Sequence, residues 1–403
     1  MSALKYWVWL SDSELSLSTI AAILERYGDA ERAFFAPEGE LSRLDGVRRA
    51  DAERLERRAL DRAEEVLARC HEQGITTISY QDSEYPERLK NIFAPPPVLY
   101  VKGKLPQIDE NAVVALVGTR AASPYGLRMS RGLAGEIIQC GGIIASGLTR
   151  GVDAAAAEGA LSCGGICVGV LGTAHEQEDG SLAESVAMRG AVVSEHAPGT
   201  ESRRSFFRRR NRITAGLAVG VVAVEAPRRS GTRLFVDEAV QQGKEIFAVP
   251  ANADALNSEG TLDFLKDGAK LVTCGWDVMG EFEWQFPGKL HPVINGAITR
   301  TDSAREGDNT APAAKKPDKK TKKVIDKGTG TGYIDLKDQL DGLSEAQLKI
   351  ISAIDGGGSH IDDIIEATGL GAAAVLAQLT VLEIKGFVRR EAGRRIALNT
   401  AKK

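Results

Sequence analysis

Residues 203–212, RRSFFRRRNR, hold six arginines and no acid, in a chain whose formal net charge is −4. Guanidinium groups pair bidentately with phosphate oxygens. Several in a row suit several phosphates, which favours a polynucleotide backbone over a mononucleotide. Phe206 and Phe207 stand inside the cluster and could stack on bases, as in sequence-tolerant single-strand binding. Their spacing equally suits an anchor that ties the segment to a core.

A second set of residues repeats one theme. Gly118, Thr119 and Arg120 follow VALV; Ser146 and Gly147 follow IIA; Gly172 and Thr173 follow VGVL; Ser230, Gly231 and Thr232 follow VVAVEAPRR. Glycine admits a close backbone approach. Ser and Thr cap helices and offer hydroxyls. Helix N-termini present unpaired amides and partial positive charge. Four such turns on one edge, with Arg120, Arg150 and the 203–212 cluster in reach, suit phosphate oxygens. A dinucleotide enzyme would need GxGxxG after the first strand and an acid after the second, and neither is present. GxxxxGK[ST], HExxH and GxSxG are also absent. His175 has no paired nucleophile and reads as a surface histidine. Asp153 and Glu195 sit beside strand ends and read as helix caps or counter-charges to arginine.

The elements that must carry these residues follow from hydrophobic pattern. Between 112 and about 275, short Val- and Ile-rich runs (AVVALVG, GIIASG, GICVGVLG, GAVVSE, GVVAVEA, EIFAVP) alternate with helical segments. Runs buried on both faces and ending in Gly, Ser or Pro indicate a parallel sheet covered by helices. The expected class is α/β, a Rossmann-like doubly wound, mainly parallel sheet, whose ligands sit beyond the carboxyl ends of the strands. The arginine cluster, between GAVVSE and VGVVAVEA, hangs over that edge as a loop feeding a helix.

The expected domains are a helical domain over 1–72, the sheet domain over 73–290, a flexible linker over 291–340 and a small domain over 341–403. The first has apolar residues at helical spacing, with a helix-hairpin-helix or SAM-like turn at ELSRLDGVRRADAERL, crowded with acids. The second opens on a strand, a short helix, a triple-proline turn and another strand. The linker is rich in Lys, Pro, Thr and Gly with little to bury. The last reads as a winged helix, three helices and a two-stranded wing. Its third helix, GAAAVLAQLTVLEIKG, lacks the basic or amide residues of a major-groove reader, which leaves Arg389, Arg390, Arg394 and Arg395 as its basic surface and favours a protein contact.

No apolar run approaches the ~18 residues that span a bilayer. The five scattered cysteines lack metal or redox spacing, so no metal, cofactor or disulfide is expected, and the location is expected to be cytoplasmic.

Four strings, YPERLKNIFAPPPVLYVKG, VGTRAASPYG, SGLTRGVDAAAAEGAL and SEHAPGTESRRSFFRRRNRITAGL, together resemble the DNA-processing protein A (DprA/Smf) family. The likeness is close over about 73–275. It implies a domain that binds single-stranded DNA, works as a homodimer without catalytic turnover, and protects incoming DNA and loads RecA during natural transformation. By position, it assigns DNA contacts to Gly118, Thr119, Arg120, Ser146, Gly147, Arg150, Arg210, Asn211, Arg212, Ser230 and Gly231; Arg208 joins them from the cluster. Ala157 stands where the family usually has His, GTAHEQEDGSLAE is shorter and more acidic than its counterpart, and SGTRLFVDEA replaces S-G-S-L-x-T-A.

Two other readings remain open from the residues. One is a phosphoribohydrolase-like enzyme acting on nucleoside monophosphates, with Asp237 or Glu238 as the acid, though the PGG of its loop is missing. The other is an adaptor whose helical and winged ends bind proteins while the sheet is scaffold.

Overall fold

The Val- and Ile-rich runs form the buried centre of one sheet, whose strands are β1 Thr76–Ser79, β2 Val98–Gly103, β3 Val113–Gly118, β4 Ile143–Ser146, β5 Cys167–Val170, β6 Ala191–Ser194, β7 Gly220–Glu225, β8 Glu245–Ala248 and the exposed edge β9 Lys270–Leu271. The computed structural model describes residues 3–177, 180–293, 345–354, 359–368, 387–391 and 395–398, with Val375, Gln378, Leu379 and Leu382. The chain divides into two compact units, Met1–Glu306 and Gly307–Lys403.

Strand order in the first unit is β1-β2-β6-β5-β4-β3-β7-β8-β9. The seven strands from β6 to β9 in that order pair in parallel, and β1 and β2 extend the edge antiparallel. Side chains alternate with period two. Val114 and Leu116 of β3 enter one core, and Val113, Ala115 and Val117 enter the other.

The helices preceding the sheet are α1 Leu4–Asp12, α2 Leu17–Tyr27, α3 Ala30–Phe34, α4 Arg49–Leu55 and α5 Asp61–Glu72. Their core holds Trp7, Trp9 and Ile20, and it continues into Val98 and Tyr100 of β2. Those interleaved with the strands are α6 Glu87–Lys90, α7 Pro124–Gln139, α8 Val152–Ser162, α9 Ser181–Arg189, α10 Arg204–Leu217, α11 Gly231–Gln241, α12 Glu259–Lys266 and α13 Gly275–Met279. Residues of α7, α8, α9 and α13 cover one face of the sheet. Leu89 of α6, Ile213 and Leu217 of α10, and Phe235 of α11 cover the other.

From β3 the chain winds outward through β4 and β5 to β6, and α10 carries it back to β7, beside β3. It then winds the opposite way through α11 to β8. The loops leaving β3 and β7 therefore diverge and leave a crevice at the switch point, where an open α/β sheet takes its ligands.

In the second unit, α14 Glu345–Ser352, β10 Ser359–His360, α15 Ile361–Thr368, β11 Val388–Glu391 and β12 Arg395–Leu398 surround Ile350, Ile364, Leu382 and Ile396. The strands form a sheet of order β10-β12-β11, one strand more than the expected hairpin wing. Most of the expected third helix, the side chains of the wing arginines and nearly all of the expected linker lie outside the described residues. Among those described, no helix is long and apolar enough to cross a membrane.

Candidate nucleic-acid interface

A cavity of about 220 Å3 opens beyond the carboxyl ends of β3, β4 and β7. Gly118 and Arg120 line it from the β3 loop, Thr149 and Asp153 from the β4 loop and α8, and Gly231 and Thr232 from the start of α11. Helix α10 adds Arg204, Phe207, Arg208, Arg210 and Asn211, and the apolar Val117, Leu234 and Phe235 complete the wall. The arginine segment is thus helical from Arg204 onward, where the sequence pattern favoured a loop.

Arg120, Arg150, Arg204 and Arg208 are exposed and make no ion pair among the described residues. The Arg120 guanidinium lies over the Phe207 ring, 5.5 Å from its centroid. Phe207 in turn packs on Gly172, where an added Cβ would come within 3.0 Å of it. Across the cleft, α11 begins without a side-chain cap, and the buried Ser230 hydroxyl has no hydrogen-bond partner among the described residues. An eleven-residue helix thus aims uncapped amides and its positive end at a cavity ringed by free cations.

Arg210 forms the floor. It is 5% exposed, and its Nη1 donates to the Val170 carbonyl at 2.9 Å. Gly147 makes this possible, because a Cβ there would collide with the guanidinium. Burial pushes the Arg210 pKa down, while Asp153 opposes that shift. Burial likewise pushes the Asp153 carboxyl up, against Arg210 and the Thr149 hydroxyl, which donates to it at 2.8 Å. Ser146 is fully buried; its hydroxyl donates to the Asp153 carbonyl at 2.8 Å and accepts from the Leu148 amide at 3.1 Å.

Three other arginines of the cluster point elsewhere. Arg212, 3% exposed, donates to Glu195 at 2.6 Å, and Arg209 donates to the same oxygen at 3.2 Å. Burial alone would raise the Glu195 carboxyl, but Arg212 and Arg209 overcome it and hold the carboxyl down at about 2. His196 stacks on Phe206, 3.9 Å between ring centroids, and burial pushes its pKa down to about 4. Arg209 also donates to the Leu15 carbonyl at 3.0 Å, and Arg203 grips both oxygens of Glu14 at 2.9 and 3.1 Å. These contacts tie the start of α10 to the helices that precede the sheet.

Of the twelve residues singled out from sequence, the cleft brings together Gly118, Arg120, Arg208, Arg210, Asn211 and Gly231. Thr119 is next to it, its hydroxyl accepting from the Ala121 amide at 3.2 Å. Arg150 follows the lining residue Thr149, and Ser230 precedes the lining residue Gly231. Ser146 and Gly147 lie beneath the surface as supports, and Arg212 is committed to Glu195, so neither Ser146 nor Arg212 faces the cleft. His175 is also corrected: it is 4% exposed, with Nε2 2.9 Å from the Tyr100 carbonyl. Arg204 was missed as an individual contact. The signal was helical period, because Arg210, Ile213, Thr214 and Leu217 form an inward stripe that leaves Arg204, Arg208 and Asn211 on the outer face. Glu238 accepts from Gln242 at 2.9 Å and Asp237 lies 3.9 Å from Arg233; neither lines the cleft, which weighs against the hydrolase reading.

Comparison with known proteins is consistent with this geometry. A family model described as DNA recombination-mediator protein A matches residues 76–283, and one described as the DprA winged helix domain matches 336–394. The DNA processing protein DprA of Bacillus subtilis is 34% identical over 220 residues, 54% of this chain and 74% of that protein. That of Streptococcus pneumoniae is 36% identical over 220 residues, 53% and 76%. The crystal structure of the S. pneumoniae protein superposes with a TM-score of 0.62 at 30% identity, covering 70% of this chain and 99% of that one.

Proposed function

The chain belongs to the DNA recombination-mediator protein A family, and from that premise we propose that it binds single-stranded DNA in the β3–β7 cleft. The observation that carries this is the set of exposed guanidinium groups without an ion pair among the described residues: Arg120, Arg204 and Arg208 line the cleft with the uncapped start of α11, and Arg150 follows the lining residue Thr149. Phosphate oxygens take the guanidinium and amide hydrogens, and the Ser230 hydroxyl gains a partner. Phe207 offers a ring to a base. Arg210 is a floor that fixes Asp153 and the β4 loop.

The protein acts by binding and not by turnover. It holds incoming single strands, shields them and passes them to RecA during natural transformation. It works as a homodimer, with one cleft per protomer along a shared strand. Its site of action is the cytoplasm. A mobility-shift titration with single-stranded and duplex oligonucleotides tests the reading. Wild type is expected to prefer the single strand, and Arg120→Ala with Arg208→Ala to lose most of that binding. Equal binding of duplex, or an unaffected double variant, would overturn it.

A further inference from the structure

A second and larger cavity, about 780 Å3, lies beyond the ends of β7 and β8. The loop from Arg120 to Ser123 divides it from the cleft: Arg120 lines the cleft and Ser123 lines the cavity. Asn257, in the far wall, donates to the Ala121 carbonyl of that loop at 3.3 Å. The two chambers are therefore neighbours, and their chemistry is opposite.

The cleft is ringed by arginine, but no cation lines the cavity. At its base is Glu225, 2% exposed, which accepts from the Ser123 amide at 2.7 Å and the Ser123 hydroxyl at 2.6 Å. Gly126 lacks a Cβ and leaves room for that carboxylate. Ser123 caps α7, so the helix end that would attract a phosphate already faces an internal anion. A buried carboxylate with no cationic partner among the described residues repels a second anion. The cavity is suited to a neutral group. It offers Leu256, 75% exposed, and the side-chain amides of Asn252 and Asn257. Tyr125 stiffens the wall, its hydroxyl donating to the Pro250 carbonyl at 2.7 Å.

We propose that this cavity seats a nucleobase of the strand whose phosphates the cleft holds, with Leu256 against the ring face and Asn252 and Asn257 at its polar edges. The proposal rests on the reading of the cleft as a phosphate site. A strand lying along the carboxyl edge would then straddle the Arg120–Ser123 loop, backbone to one side and base to the other. The exposed Asn252 amide can turn to suit either donors or acceptors, while Asn257, held by its bond to the Ala121 carbonyl, offers its oxygen, so the seat should tolerate every base.

Two probes of equal length separate the possibilities: an oligodeoxythymidylate, and the same backbone with tetrahydrofuran abasic residues throughout. Leu256→Ser with Asn252→Ala removes the apolar contact and one amide at exposed positions, adds no charge, and keeps the Asn257 bond to the Ala121 carbonyl. It is expected to weaken binding to the oligodeoxythymidylate about tenfold, the scale of one base contact, and to leave abasic binding unchanged. Arg120→Ala with Arg208→Ala is expected to weaken both probes. If the arginine variant weakens both but the cavity variant lowers both equally, or neither, the base seat falls alone. If the arginine variant changes neither, the phosphate reading falls and takes the seat with it.

Discussion

If the four unpaired guanidinium groups each neutralise one phosphate, the salt dependence of single-strand binding follows directly. Each phosphate neutralised on a single strand contributes a slope of about −0.7 in log K against log salt, so Arg120, Arg150, Arg204 and Arg208 together give about −2.8 per protomer. Raising salt from about 50 to 200 mM should then weaken wild-type binding roughly 50-fold. Arg120→Ala with Arg208→Ala leaves two groups, a slope of about −1.4 and a loss of roughly 7-fold over the same range. Fluorescence anisotropy with a labelled oligonucleotide at five or six salt concentrations measures both slopes. Both substituted side chains are exposed and unpaired, so the fold should survive. Equal slopes for the two proteins would refute the assignment of these cations to phosphates, whatever the absolute affinities.

The buried arginines should behave differently. Arg212→Ala leaves the buried Glu195 with Arg209 as its remaining arginine partner and should cost about 1–3 kcal/mol of stability in urea denaturation, while Arg208→Ala should stay within about 0.5 kcal/mol of wild type. His196 has a pKa near 4 in the fold against about 6.5 unfolded. Its contribution is therefore full above pH 6.5 and declines as pH falls toward 4, by at most about 1.4 kcal/mol per unit. His196→Gln should flatten the stability profile over that window, and an unchanged profile would count against the buried placement. Gly118→Ala would press a methyl into Val152 and the Glu225 carbonyl; a thermal melt should report about 1–3 kcal/mol of destabilisation.

The sheet was readable because buried parallel strands write themselves as unbroken apolar runs, and VVALV and VVAVE carry no other message. β9 was not, since two exposed residues, Lys270 and Leu271, make no run at all. The positions of the phosphate loops were readable for the same reason as the strands they follow. The direction of each side chain was not. Ser146 and Ser230 look alike in sequence, yet one hydroxyl is bonded internally and the other has no partner among the described residues. Glu195 read as a helix cap or a counter-charge to arginine, but which arginine it takes was hidden: Arg212, 17 residues on in sequence, meets it and so was misread as a DNA contact. No local spacing announces that. The division between the cleft and its neutral neighbour was also hidden, because Glu225 reads as the last residue of a strand and its partner Ser123 lies 102 positions earlier.

Helix α10 performs two jobs with fourteen residues. Its inner stripe is the strap that returns the chain across the sheet, and its outer stripe is the gripping surface. Lysine in place of Arg204 or Arg208 should be tolerated as a change of grip, whereas any change at Arg210 or Arg212 alters the strap itself. A strand seated in the cleft therefore pulls on a structural member: occupancy should slow amide exchange in β7 and along the back of the sheet, far from any nucleotide.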